Sequence, residues 1–302
     1  MNKEEIREEL YRAGEVTSKI SDKRKVHGER MHLPLSGRDI EVIYYPAADK
    51  PETRPVVFGM HGGGFVVGGC AFDDVMWDRM REVWRCNVIS IGYRKAPQFA
   101  YPAALDDVYD AMDYCLHKMD ALAFDRSQVY VFGNSAGSTL ASQVTLRILA
   151  RKEWTLSGVL LDYPYVDLAT SPVEKGADEA ETMESEVFAE AFLQGQDATR
   201  AEISPIFATQ EQLAGFPCTY ISVCENDTLR AEGETFGAKL KAAGVEVKMH
   251  LAKGMPHAYF EYAYGQESAQ EPKDIQRMRK DGTLIKQAEE AMAFFAGIFR
   301  RL

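Results

Sequence analysis

Hydrophobic and polar positions change their period block by block along this chain. Short β-branched runs at 55–60 (PVVFGM), 86–93 (CNVISIGY), 128–133 (QVYVFG), 158–166 (GVLLDYPYV), 218–224 (CTYISVC) and 245–252 (VEVKMHLA) read as strands. Stretches with helical spacing separate them: 72–84, 101–119, 136–152 and 231–244, with 286–302 closing the chain. Residues 30–46 (RMHLPLSGRDIEVIYYP) read as two strands joined at Ser36-Gly37-Arg38-Asp39, a hairpin signal. The first thirty residues read as helix, with Ile6, Leu10 and Tyr11 on one side of a charged background.

Strand–helix alternation of this kind predicts an α/β fold: a mostly parallel central sheet with helices on both faces, opened by an antiparallel hairpin. One stretch breaks the pattern. From Asp167 to about Ile203 the chain is acidic and helical in character, without strand runs. Insertions of that length between strands are commonly functional. Together with the N-terminal helix it is a candidate lid, so that elements 1–30 and 168–203 cap a core made of 31–167 and 204–302.

The chain has 302 residues, of which 46 % are hydrophobic, enough for one large domain with a sizeable core. A formal net charge of −11 argues against nucleic-acid or anionic-membrane partners. No apolar run approaches a bilayer span. The start, MNKEEIREEL, lacks the apolar core of a signal peptide, so a cytoplasmic location is expected. Five scattered cysteines without a C-x-x-C pair read as reduced, mostly buried thiols. The six dispersed histidines show no zinc-site spacing, and neither metal nor cofactor is expected.

The candidate chemistry centres on VFGNSAGS, 131–138. Gly-x-Ser-x-Gly is common by chance, but here it follows a strand and precedes a helix, where it makes a nucleophile elbow. Ser135 would then project above the sheet's C-terminal edge beside a helix N-terminus, which favours negative charge. A serine hydroxyl needs a base, and on such sheets the order is Ser, then Asp or Glu, then His. Only His250 and His257 follow Ser135. His250 lies within a strand, whereas His257 lies in the loop after it, and is the candidate base. Asp227, in the loop after 218–224, is the candidate orienting acid, with Glu225 its nearest competitor. MHGGGFVVGG, 60–69, follows another strand and offers backbone N–H donors for an oxyanion: Gly62, Gly63 and Gly64, joined by Ala136 after the serine. His61, out of order for a triad, is expected to anchor that loop.

These motifs resemble the hormone-sensitive-lipase-like branch of the α/β-hydrolases. That branch carries HGGGF, YRLAPE with a downstream FPAALDD, GDSAGG, a DPLRDEG-type acid loop and an IHGF histidine loop. This chain has HGGGF (61–65), YRKAPQFAYPAALDD (93–107), GNSAGS (133–138), NDTLRAEGE (226–234) and MPHAYF (255–260), in the same order. The resemblance implies a helical cap and a carboxylesterase forming an acyl-enzyme on small esters with short acyl chains. It also implies a homodimer. An amide or arylformamide hydrolase with the same triad, or a non-catalytic ligand-binding relative, are the alternatives. Three departures stand out: Asn134 in place of aspartate before the nucleophile, Ser138-Thr139 in place of Gly-Asn, and Gln98 in place of glutamate. Phe65, Met76, Phe188, Phe192, Phe207 and Tyr259 are candidates to line an apolar acyl pocket. The stretch 261–282, longer than usual after the histidine, is either a reshaped mouth of the pocket or a solvated loop, and the loop is the expectation.

Overall fold

A computed structural model describes residues 2–21, 23–48, 53–119, 122, 124–268 and 271–301. Eight strands form one sheet: β1 (Glu29–Leu35), β2 (Arg38–Tyr45), β3 (Arg54–Met60), β4 (Asn87–Ile91), β5 (Phe124–Asn134), β6 (Gly158–Asp162), β7 (Thr219–Asn226) and β8 (Val247–Pro256). Their spatial order is β1-β2-β4-β3-β5-β6-β7-β8. The first two pairings are antiparallel and the remaining five are parallel.

Alternate residues of the inner strands enter two separate cores. Val56 and Phe58, Val129 and Val131, and Val159 and Leu161 point to one side. Val57, Tyr130, Phe132 and Leu160 point to the other. Both faces must therefore be covered, which is why these strands read as unbroken apolar runs. On the first side lie α3 (Ala103–Lys118), α4 (Ala136–Arg151) and α7 (Arg230–Ala242). On the second lie α2 (Asp74–Trp84), α8 (Tyr259–Tyr264), α9 (Lys273–Lys280) and α10 (Thr283–Ala296). A one-turn helix, α6 (Gln210–Leu213), completes the first layer.

Three expectations need correction. The N-terminal helix, α1, spans Lys3–Ser21 rather than thirty residues, and residues 29 and 30 already belong to β1. The acidic insertion holds a single helix, α5 (Glu179–Leu193), closed at its start by a capping box between Asp178 and Glu181, while 168–178 is turns. The hairpin turn is also tighter than expected, since Arg38 and Asp39 pair with Leu35 and Pro34. Lys3 bridges Glu186 and Glu190 at 2.6 Å each, and Arg7 reaches Glu190 at 2.9 Å, so α1 is tied to α5.

Candidate active site

Parallel register brings the ends of three strands together. Met60 of β3 lies opposite Gly133 of β5, and Asn134 lies opposite Asp162 of β6. A register shift between β7 and β8 places Asn226 opposite Pro256. Asp227 and His257 are therefore each one residue beyond a paired position, on the same sheet edge as Ser135.

Ser135 has φ 51° and ψ −120°, a strained backbone for a residue with a side chain. Its surroundings hold it there. A Cβ on Gly137 would lie 2.0 Å from the Met60 carbonyl oxygen, and one on Gly133 would lie 2.1 Å from that of Gly137. Only glycine lets the first turn of α4 close down on β3 and β5. The elbow is also bonded from behind: Ser135 N donates to the Asp162 carbonyl at 3.0 Å, and Ser138 Oγ donates to the Gly133 and Asp162 carbonyls. Ser138, a departure from the resembling motif, is thus part of the elbow's support.

Ser135 Oγ lies 2.9 Å from His257 Nε2, and His257 Nδ1 lies 2.8 Å from Asp227 Oδ2. Asp227 is 2 % exposed and its other oxygen accepts from Leu229 N at 2.9 Å, so its rotamer is fixed. In the neutral ring, the carboxylate on one side keeps the proton on Nδ1 and leaves Nε2 to accept from the serine. The competitors are placed elsewhere. Glu225 accepts from Gly254 N at 2.7 Å, and His250 stacks on Phe294 near Ser222.

Burial opposes charge on the His257 ring, but Asp227, by charge and hydrogen bond, then Glu261 and Asp162, outweigh it and hold its pKa at about 9. His61 is the opposite case. Burial, with Lys95 nearby, lowers it to about 3 and keeps it neutral. It stacks on Tyr93 at 4.3 Å, and Tyr93 OH donates to the His61 carbonyl, so it does anchor the glycine loop. Arg94 and Arg38 both clamp the buried Asp107, which gives the YRKAPQFAYPAALDD motif a scaffolding part behind that loop.

The glycine loop runs beside the elbow. A Cβ on Gly62 would lie 3.6 Å from that of Ser135, and Val66 N and Val67 N fold back onto the Gly63 carbonyl. Gly64 has φ +58°, and a side chain there would run into the Phe188 ring at 2.3 Å. Ala136 follows the serine at the start of α4.

A cavity of about 480 Å³ opens over Ser135 and His257, roofed by Phe188 and its neighbours on α5 and walled by Tyr165, Tyr262 and Ile275. Of the aromatic and apolar candidates, Phe188 lines it. Phe65 is buried and stacked on Phe192 at 3.8 Å, Tyr259 is buried edge-on to Tyr163, and Met76 lies in the core under α2. Phe207 is 39 % exposed, away from the cavity. The stretch 261–282 is only in part a solvated loop: 265–268 are exposed and irregular, 269 and 270 fall outside the described residues, and the rest holds the end of α8 and all of α9. Ile275 and Met278 are buried, and Tyr262, Asp274 and Ile275 reach the cavity wall. Glu261, which the sequence reading passed over, accepts from Asn134 Nδ2 and from Tyr163 OH beneath the elbow. Its signal was the missing acid at 134.

Among the described residues, no group of three or more potential ligands is arranged to hold a metal ion, and no helix is long and apolar enough to cross a membrane.

A serine elbow, a histidine and an aspartate at one edge of such a sheet define the α/β-hydrolase class. The family described as alpha/beta hydrolase fold matches residues 57–261. The chain is 32 % identical to esterase LipI of Mycobacterium tuberculosis over 228 residues, 73 % of this chain and 71 % of that protein. It is 26 % identical to an arylesterase of Saccharolobus solfataricus, over 85 % and 84 % of the two chains. The solved esterase of Pyrobaculum calidifontis superposes with a TM-score of 0.79 at 27 % identity, covering 99 % of this chain and 92 % of its own. This chain belongs to the α/β-hydrolase family, in its hormone-sensitive-lipase-like branch.

Proposed function

We propose that this protein is a serine carboxylesterase acting on small carboxylic esters. The observation that carries the reading is the unbroken relay from Ser135 Oγ through the His257 ring to Asp227, at 2.9 and 2.8 Å. His257 takes the proton as Ser135 attacks the ester carbonyl, and Asp227 stabilises the imidazolium. The carbonyl oxygen, now negative, is held by backbone N–H groups of Gly62, Gly63, Gly64 and Ala136. His257 then gives its proton to the leaving alcohol. Water, activated by the same ring, hydrolyses the acyl-enzyme and restores Ser135.

The cavity volume and the Phe188 ring over Gly64 support acyl groups of short chain, acetyl to roughly hexanoyl. Helices α1 and α5, joined by ion pairs, act as the cap that excludes water. The esterase names of the relatives support the same reaction class. The test is hydrolysis of p-nitrophenyl esters of increasing acyl length by the wild type and Ser135→Ala. Turnover that falls off beyond hexanoate and is lost in the variant is the expected result. Activity in Ser135→Ala, or none in the wild type, would remove the reading.

A further inference from the structure

Beneath the elbow a single carboxylate touches three parts of the site. Glu261, on the first turn of α8, accepts from Asn134 Nδ2, and Asn134 directly precedes the nucleophile. Its other oxygen accepts from Tyr163 OH, whose ring packs edge-on against His257 at 4.9 Å. A Cβ on Gly62 would lie 3.1 Å from its Oε1, so the carboxylate also underlies the glycine loop. Neither hydrogen-bond partner is a cation. Enclosing a carboxylate without one is unfavourable, and the positive charge acting on it is that of His257.

We propose that Glu261 is a positioning residue for the triad, tying Asn134 to Tyr163 so that nucleophile and base keep their register, and placing a second negative charge behind the imidazolium. This rests on the esterase reading above. The carboxylate that the resembling motif carries at 134 is supplied here from α8.

Other charged groups share this space. Facing His257 are Asp227 after β7, Asp162 at the end of β6 and Glu184 on α5. Facing Glu261 are Asp73 before α2, Asp162, Cys224 on β7, and Tyr259 and Tyr262 beside it on α8. Arg24 acts on Asp73. Burial and then mutual repulsion raise Asp73 to about 8, and burial raises Glu261 as well. Against that, the hydrogen bonds from Asn134 and Tyr163 and the charge of His257 favour the ionised form of Glu261, the form that acts on the base.

The sign follows. A negative charge beside His257 favours the imidazolium, so removing it lowers the ring's pKa and moves the acid limb of activity to lower pH. The experiment measures the rate of Ser135 phosphonylation by a fluorophosphonate across pH, with the labelled peptide identified by mass spectrometry. Glu261→Gln keeps the hydrogen-bonding shape and loses the charge, and the acid limb should move down by about one pH unit. Glu261→Ala loses both, and its alkaline plateau should also fall, by up to about 10²-fold. The exchanged double variant Asn134→Asp/Glu261→Gln returns a carboxylate to the same contact and should bring the limb back toward the wild type. An unmoved limb in Glu261→Gln overturns the proposal, even if Glu261→Ala loses rate or fails to fold. No return in the folded double variant overturns it too. Absence of Ser135 labelling in the wild type would instead remove the esterase reading, and with it this one.

Discussion

Replacing Asp227 with asparagine separates the two things that residue does. Asparagine has the same shape, and its carbonyl can still accept from Leu229 N, so the loop after β7 should fold unchanged. Its amide, however, donates toward His257 Nδ1. The ring proton then moves to Nε2, the atom that must accept from Ser135 at 2.9 Å. In serine hydrolases generally, this wrong tautomer costs on the order of 10⁴ in turnover.

The second effect opposes the first. With its pKa held at about 9, the wild-type ring is protonated at neutral pH, leaving on the order of 1 % in the working form at pH 7. Without the Asp227 charge, burial draws the ring down against Glu261 and Asp162, toward its ordinary value of 6.5. The variant is then mostly neutral at pH 7, which recovers about 10² of the 10⁴. The deficit should therefore be about 10²-fold at pH 7 and about 10⁴-fold near pH 10. Initial rates of acid release from a short alkyl ester, followed in a pH-stat, give kcat/KM across this range without the alkaline breakdown of nitrophenyl esters. A deficit constant with pH, or an acid limb that stays near 9, would refute the claim that Asp227 raises the basicity of His257.

The remaining predictions concern packing. Gly137→Ala sets a methyl group against the Met60 and His61 carbonyls at 2.0 and 2.8 Å, backbone that cannot move away. A loss of about 3 kcal/mol or more is expected, a Tm drop of about 6 °C by calorimetry for a chain of this size. Gly176→Ala, with φ +90° but nothing within 4 Å, should cost only about 1 kcal/mol of backbone strain; equal losses in the two would contradict the steric argument. Phe188→Ala removes the ring over Gly64 and opens the cavity roof. Each added acyl methylene should then raise kcat/KM by roughly fourfold relative to the wild type, from about 0.8 kcal/mol per buried methylene. A ratio independent of chain length would show that the acyl group lies elsewhere.

The sheet and the triad candidates were legible because the physics that makes them is local. A strand buried on both faces must be apolar at successive positions, and β3, β5 and β6 are. The elbow needs glycines two residues either side of the serine, because the first turn of α4 touches β3 with no room for a Cβ. His257 could be told from His250 because the end of a strand and its middle differ in hydrophobic alternation. The cysteines also followed from composition: Cys70, Cys86, Cys115 and Cys224 are buried thiols, and Cys218 is half-buried. The length of α1 was less legible, since a run charged throughout carries no sharp stop, and no C-terminal glycine marks Ser21 as its end.

The pocket was illegible for a different reason. An aromatic residue in a sequence announces burial without saying against what. Phe65 and Phe192 satisfy that demand by stacking on each other, Tyr259 by packing behind Tyr163, and Phe188 by covering Gly64. The choice depends on where α5 sits, and α5 is held by contacts to α1 from more than 180 residues away in the chain. Position 134 shows how such distance misleads. Read alone, Asn134 subtracts a charge from the neighbourhood of the nucleophile. In the fold, Glu261 supplies a carboxylate to the same point from 127 residues downstream. A motif fixes which functional groups a site requires, whereas the residue that provides one is fixed by packing. A departure from a motif is therefore best read as a question about which neighbour now fills the place.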